Sequence, residues 1–396
     1  MEGLMNLWGE AAITSLGFFW KSGWAFILGY SISAMIQAFV PRSRLTRHMG
    51  SDDIKSISLS TVFGAASSSC SFAALATARS LFQKGAHFIT AVAFMFASTN
   101  LVIELGILIL VFLGWQFLAA EIIGGLVLIV ISSVLIRLTY PRKWVREARE
   151  KLEVRSHGGD EDFDWKKRIG NMSGWYLAGD KFIGEWRMVW EDILIGFTIA
   201  GFVAVFVPAG FWGDLFLTDQ VGVLPQWAIT LENAMIAPIV AAATFIGSMG
   251  NIPLATVLNS NGVLFAGIMG FIYSDLMVPP LVRVNAKYYG WGLALYVAGI
   301  MYVSIVATAL ILHGIFAFFS LTPESAKEVS DIVTFKVDYT FWLNILFILV
   351  AVAWAALAGR HEGEGMEMET SGKLKNAVSL AAGLTVVGGV IIYLMI

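Results

Sequence analysis

The chain predicts an all-α polytopic membrane protein made of two inverted repeats, each with a broken or re-entrant helical hairpin, plus two extra C-terminal helices. Three observations predict this. First, 57% of its 396 residues are hydrophobic, 14% are charged and the mean hydropathy is +0.74, whereas soluble domains carry about 25% charged residues. Runs such as Leu118–Ile136 and Ala377–Ile396 approach the roughly 20 apolar residues that cross a bilayer. Second, basic residues concentrate in one segment, 139–190. Third, two stretches, Ile54–Glu104 and Ile229–Pro280, are rich in small and hydroxyl-bearing residues in an otherwise apolar chain.

The elements follow in order. A first span fits Ala12–Phe39, with Trp20, Lys21 and Trp24 toward the outer interface and Arg42, Arg44 and Arg47 past the inner end. The start, Met1–Glu10, lacks the basic region and small-residue cleavage site of a signal peptide, so this span is expected to direct insertion itself. Ile54–Leu81 is too polar for a lipid-facing span, and His87–Leu113 and Gln116–Leu138 follow, joined by almost nothing. Residues 139–190 carry Arg142, Lys143, Arg146, Arg149, Lys151, Lys166 and Lys167 among others. The positive-inside bias makes this segment cytoplasmic, with Pro141–Glu153 an amphipathic helix at the lipid surface.

Residues 191–319 repeat the pattern of residues 12–138. Ile193–Val207 is a span, Gly210–Gln226 an acidic external stretch, and Ile229–Leu258 a small-residue run broken by Pro238, Gly247, Gly250 and Pro253. Val263–Val282 is a span interrupted by Asp275 and ended by Pro279-Pro280, and Gly290–Phe319 completes the copy. Residues 340–396 add two helices, Phe341–Leu357 and Ala377–Ile396, outside the repeats; they leave a homo-oligomer open.

Charge placement tests this topology. Arg42–Arg47 and Arg79/Lys84 both require the cytoplasm, so Ile54–Leu81 enters and leaves on one side. The second hairpin is flanked by external segments, so it enters from the other face. Discontinuous helices from inverted repeats that meet near the midplane are a recurrent secondary-transporter design. The plainer alternative is two short helices in an ordinary bundle, which small residues also serve. Gly85, Phe88 and Phe94 align with Gly262, Phe265 and Phe271 at one constant spacing, which sets Ser98 against Asp275 and Cys70 against Gly247.

Candidate solute-binding residues lie at these interruptions. Ser68, Ser69, Cys70 and Ser71 offer hydroxyls and the only thiol; Gly247, Ser248, Met249 and Asn251 stand opposite; Asn100, Glu104, Ser274 and Asp275 flank them. Glu104 follows Asn100 by one turn, so in a continuous helix both face one way. A carboxyl at membrane depth costs about 2.5–3.5 kcal/mol on insertion scales and marks a pathway, a proton relay or a helix–helix contact. Cys70 with Met249 would make a soft ligand pair, while a lone buried cysteine also serves as a small apolar residue. A half-helix starting at the serines would present free amides to an anion. Anion, soft metalloid and neutral solute all remain open.

At Ser69-Cys70-Ser71, Lys84-Gly85 and Ala93-Phe94-Met95-Phe96-Ala97-Ser98-Thr99-Asn100, and at Gly247-Ser248-Met249-Gly250-Asn251-Ile252-Pro253-Leu254 with Gly262, the chain resembles a bacterial and archaeal family of predicted permeases. Organoarsenical efflux permeases belong to that family. The resemblance spans most of residues 12–319 and implies a transporter without naming its cargo.

Other function classes find little support. A net charge of −3 decides nothing for such a chain and nothing suggests nucleic acid, and one cysteine excludes an intrachain disulfide. No phosphate loop, metalloprotease helix or hydrolase carboxylate pair occurs, so no enzyme, no metal centre and no cofactor is predicted. His313 alone would not hold a haem. The sequence therefore predicts a multi-pass permease of the cytoplasmic (inner) membrane, in contact with lipid and a small-molecule or ion substrate. A channel, or a membrane subunit that binds a protein partner through residues 139–190, is the alternative.

Overall fold

Apolar sequence propagates as helix until a side chain competes for the backbone or a glycine turns it, and such competition sets most of the element boundaries here. The computed structural model describes residues 2–39, 49–67, 71–153, 169–323, 328–359 and 373–395. Among them no strand forms, apart from one isolated bridge between Val221 and Leu224. The described residues contain 8 helical stretches long and apolar enough to cross a membrane. The protein is an all-helical, multi-pass membrane protein.

The first half comprises α1 (Glu2–Phe39), α2 (Ile54–Ser67), α3 (Ser71–Gln83), α4 (Phe88–Asn100), α5 (Ile103–Phe112) and α6 (Trp115–Thr139). A basic helix, α7 (Arg142–Glu153), follows. The second half comprises α8 (Met172–Phe206), the short α9 (Ala209–Leu215), α10 (Gln226–Thr244), α11 (Ser248–Ser260), α12 (Phe265–Ile272), α13 (Pro279–Tyr289) and α14 (Trp291–Phe318). One turn, α15 (Val329–Ile332), precedes α16 (Tyr339–Leu357) and α17 (Lys373–Met395).

The long helices α1 and α8 lie against each other through interlocked rings. Phe197 meets Phe18 at 6.3 Å and Phe26 at 5.8 Å between centroids, and Phe39 meets Trp175 at 5.3 Å. Gly201 admits Ser15 so closely that a Cβ there would overlap its hydroxyl and amide. α16 and α17 pack on this pair. Asn344 bridges one turn of α1, accepting from the Trp24 amide (2.9 Å) and donating to the Trp20 carbonyl (2.7 Å), and the Trp8 indole donates to Thr385 (2.9 Å). Their other faces expose Leu346, Leu349, Val352, Leu380, Leu384 and Leu394, the surface expected to meet lipid.

Two short helices form the centre. Every residue of α4 and every residue of α12 is buried, as for helices apolar all round. α2 and α3 pack on α4, and α10 and α11 on α12. The approach is close: a Cβ on Gly64 of α2 would meet the Phe94 carbonyl at 2.5 Å and Ala97 Cβ at 2.7 Å. Asp53 caps α2, accepting from the Ser56 amide (2.9 Å) and the Ser51 hydroxyl (3.0 Å). These hydrogen bonds, those from Ser56 foremost, hold its carboxyl below the usual range.

Several expectations need correction. α1 starts at Glu2, upstream of Ala12, and α8 runs unbroken through residue 190, because Met172–Trp190 contains no proline and carries apolar side chains that bury against neighbours. Pro238 and Pro253 sit inside helices; the chain breaks instead at Phe245–Gly247. Pro279-Pro280 begin α13 rather than ending a span, since proline's fixed φ suits the first helical turn, where its missing N–H has no partner to lose. α7 turns its apolar face, Val145, Ala148 and Leu152, into protein and not lipid. Arg149 lies over the Phe82 ring at 4.5 Å and donates to the Ala86 carbonyl (3.1 Å), while Gln83 donates to Leu152 (3.0 Å).

The close approach at Gly64 makes a stability prediction. Gly64→Val should lower stability by about 1–3 kcal/mol through overpacking, read as a fall in Tm in detergent. Gly299→Ala, with open space at its Cβ, should leave Tm nearly unchanged.

Candidate functional site

The predicted site residues gather around three interruptions of helix. The first separates α4 from α5. Thr99 donates to the carbonyls of Met95 and Phe96 (both 3.3 Å), and Asn100 Nδ2 donates to Phe96 (3.0 Å) and to Thr99 Oγ1 (3.2 Å). The Leu101 amide still reaches Ala97 (3.0 Å), and Val102 is extended before α5 begins. These side chains put a second donor on carbonyls of the last turn, a local competition that weakens and bends helix. The break means that Asn100 and Glu104 do not share one helix face, contrary to the expectation from a continuous helix. Glu104 is buried in the first turn of α5, where its side chain lies across Gly29 of α1.

The second interruption lies between α10 and α11. Phe245 adopts a left-handed conformation (φ 57°), held by Thr244, whose hydroxyl donates to Ala241 (2.7 Å) and accepts from the Ile246 amide (3.2 Å). Gly247 stands at the N-cap of α11, whose first residue is Ser248. Met249 packs, partly buried, against the core, and Gly250 lets α11 press on Gly196 of α8. Asn251 is wholly buried, and neither polar atom of its side chain has a hydrogen-bond partner among the described residues.

The third interruption follows α12. Ser274 donates to the Gly270 carbonyl, and Asp275–Met277 form a short 3-10 turn before Pro279. Ser274 and Asp275 are fully buried. Here the halves meet: the Ser71 hydroxyl, at the first residue of α3, donates to Asp275 Oδ2 at 2.8 Å. On the first-half side Ser67, at the end of α2, bonds Ser98 of α4 at 3.1 Å. Ser68, Ser69 and Cys70 lie outside the described residues, and with them the proposed Cys70–Met249 pairing.

Elements at the two sites share one numbering offset. α3 and α11 both start at a serine, Ser71 and Ser248, and end at Gln83 and Ser260; α4 and α12 start at Phe88 and Phe265. The turns between them match bond for bond. Gly85 donates to Phe82 (3.2 Å) and Ala86 to Leu81 (3.0 Å); Gly262 donates to Asn259 (3.2 Å) and Val263 to Leu258 (3.1 Å). Both glycines have positive φ, 98° and 83°, as this helix-ending motif requires.

Two polar residues that sequence reading passed over belong here, Glu121 and Tyr273. Glu121, in α6, is 2% exposed and lies near enough to Asp275 to feel its charge. It is the single acid within the apolar run of α6, so the criterion that picked Glu104 would have found it. Tyr273 sends its hydroxyl into α6, donating to the Ala120 carbonyl at 2.9 Å; nothing local marks that reach. Lys375, in the first turn of α17, pairs with Asp192 (3.0 Å) and Glu191 (3.8 Å) of α8.

Ser71→Ala should leave Asp275 Oδ2 without its donor and lower stability by about 1–3 kcal/mol, the usual result of stripping a buried acceptor. Thermal unfolding of the purified protein reads this.

Comparison with known proteins adds a relationship. Residues 7–314 match the model of a family described as "Predicted permease". The chain is similar to "Putative permease Rv2963" of Mycobacterium tuberculosis, 37% identical over 325 residues that cover 79% of each protein. It is also similar to "UPF0718 protein YraQ" of Escherichia coli, 27% identical over 143 residues covering 36% of this chain and 40% of that protein. No solved structure matches.

Proposed function

This chain belongs to the predicted permease family and is a membrane permease; on that premise we propose that it is secondary-active and exports a small solute by alternating access, coupled to a proton or another ion. The observation that carries the reading is the Ser71–Asp275 hydrogen bond. It joins the start of α3 in one half to the break after α12 in the other.

The halves, residues 12–138 and 191–319, are read as inverted repeats whose hairpins, α2–α3 and α10–α11, enter from opposite faces. The common numbering offset of their helices and the identical glycine turns support this reading. The central basic segment, 139–190, is read as cytoplasmic. Irregular backbone at membrane depth is tolerated where it lines protein or a cavity; the interruption after α12 is buried, at Ser274, Asp275 and Leu276, whereas Phe245 at the second is exposed.

The solute site is read as Ser68–Ser71 facing Gly247–Met249 and Asn251, flanked by Asn100, Glu104, Ser274 and Asp275. Its chemistry is hydroxyl and amide donors, helix N-termini, a thiol and a thioether. That set fits a small anion or a metalloid compound better than an organic cation. Rocking of one half against the other would have to break and remake the Ser71–Asp275 bond.

Flux into and out of proteoliposomes tests the reading, with solutes chosen by a thermal-shift screen of arsenicals, metals and oxyanions. Saturable flux is expected. Asp275→Asn should slow it about tenfold or more, since a hydrogen bond to a charged group contributes about 1.5–3 kcal/mol. Non-saturating flux in the wild type would mean a channel.

A further inference from the structure

Beside Asp275, which flanks the solute site, stands Glu121, a buried carboxyl that the site does not include. Asp275 spends one oxygen on Ser71, and its Oδ1 has no hydrogen-bond partner; neither Oε1 nor Oε2 of Glu121 has one. Asp275 is 0% and Glu121 2% exposed. They come from different halves, Glu121 from α6 and Asp275 from the turn after α12; Tyr273, two residues before Asp275, reaches the carbonyls of Ala120 (2.9 Å) and Glu121 (3.3 Å), and the charge of Asp275 is felt at Glu121. Tyr273 stands beside Glu121, but its hydroxyl proton is committed to the Ala120 carbonyl at 2.9 Å.

Among the described residues no cation acts on either carboxyl. The groups that act on Glu121 are Asp275 and Tyr273, and those on Asp275 include the Ser71 hydroxyl and the Leu276 amide. Among the described residues, Arg79 on α3, Glu232 on α10, Arg283 on α13 and His313 on α14 lie on the neighbouring elements and are not among the groups that act on either carboxyl. Two like charges in apolar surroundings repel strongly, and a buried charge must be paired or neutralised. Three buried oxygens without a hydrogen-bond partner among the described residues are what a small monovalent cation would satisfy.

We propose that Glu121 and Asp275 together bind the coupling cation, a proton or a sodium ion, at the contact between the halves. With the cation held, the pair carries one negative charge and the Ser71 bond closes over it. Release leaves two, and their repulsion favours separation of α6 from the 275–277 turn. The assignment rests on the permease reading only for the use made of the cation; binding itself can be measured without transport.

The test uses the purified full chain in lipid. Infrared difference spectra while pH is stepped follow the protonated-carboxyl band, and Tm is compared in sodium chloride and choline chloride at equal ionic strength. A carboxyl band that titrates and loses one component in both Glu121→Gln and Asp275→Asn identifies a proton. A rise in Tm with sodium that both variants lose identifies sodium. Glu232→Gln, a carboxyl apart from the pair, should keep either response. Should Glu121→Gln fail to fold, Ser71→Ala must shift the midpoint of the wild-type response. A wild type silent to both probes, or a response that Glu121→Gln leaves intact, overturns the proposal whether or not the liposomes transport. A response lost in both variants from a protein that moves no solute would leave the cation site standing and sink the permease reading.

Discussion

Within hydrocarbon every backbone N–H and C=O must find its partner inside the protein, and the whole arrangement depends on that constraint. The chain breaks helix at Leu101–Val102, at Phe245–Gly247 and at Tyr273–Val278, each break freeing groups that lipid cannot satisfy. The protein places α4 and α12, which carry two of these breaks, where no residue of either helix faces outward. It then supplies local donors: Thr99 and Asn100 to the end of α4, Thr244 to the end of α10, Ser274 to Gly270. The outer helices, α1, α6, α8 and α14, can be long and plain because they shield this interior.

The same constraint explains where polarity is left unspent. Most buried hydroxyls bond a carbonyl three or four residues earlier, as Ser22 does to Phe18, Thr198 to Leu194 and Thr256 to Ile252, which suits helix in an apolar medium. A few do not fit the pattern. Asn251, the free oxygen of Asp275, both oxygens of Glu121 and Asn100 Oδ1 have no such outlet. Leaving a buried polar group unmet costs about 1–3 kcal/mol, and Asn100 Oδ1, Asn251 and the second oxygen of Asp275 carry that cost close to helix breaks.

The residues differ in how far they could be read in advance. Gly85 with Gly262 and Phe88 with Phe265 were legible because local chemistry decides them: positive φ selects glycine, and the turn sets where the next helix starts. Asn100 and Glu104 misled, because one-turn spacing assumes unbroken helix while Thr99 and Asn100 themselves end it. Pro279-Pro280 read as a stop, yet the same lack of N–H makes proline a good first residue. The helix α7 has the periodicity of a surface-seeking segment, and periodicity cannot say whether the apolar stripe meets lipid or Phe82 and its neighbours.

By itself the sequence determined membrane residence, the helical class and the two stretches that hold the polar interruptions, since these follow from hydropathy, charge bias and composition acting over a few residues. Tertiary structure alone decided that Ser71 touches Asp275, that Glu121 stands beside that carboxyl, and that Lys375 finds Asp192 and Glu191. Those contacts join residues far apart along the chain. Their existence depends on how the helices of the two halves pack, and that is a property of shape and summed burial that no local pattern encodes.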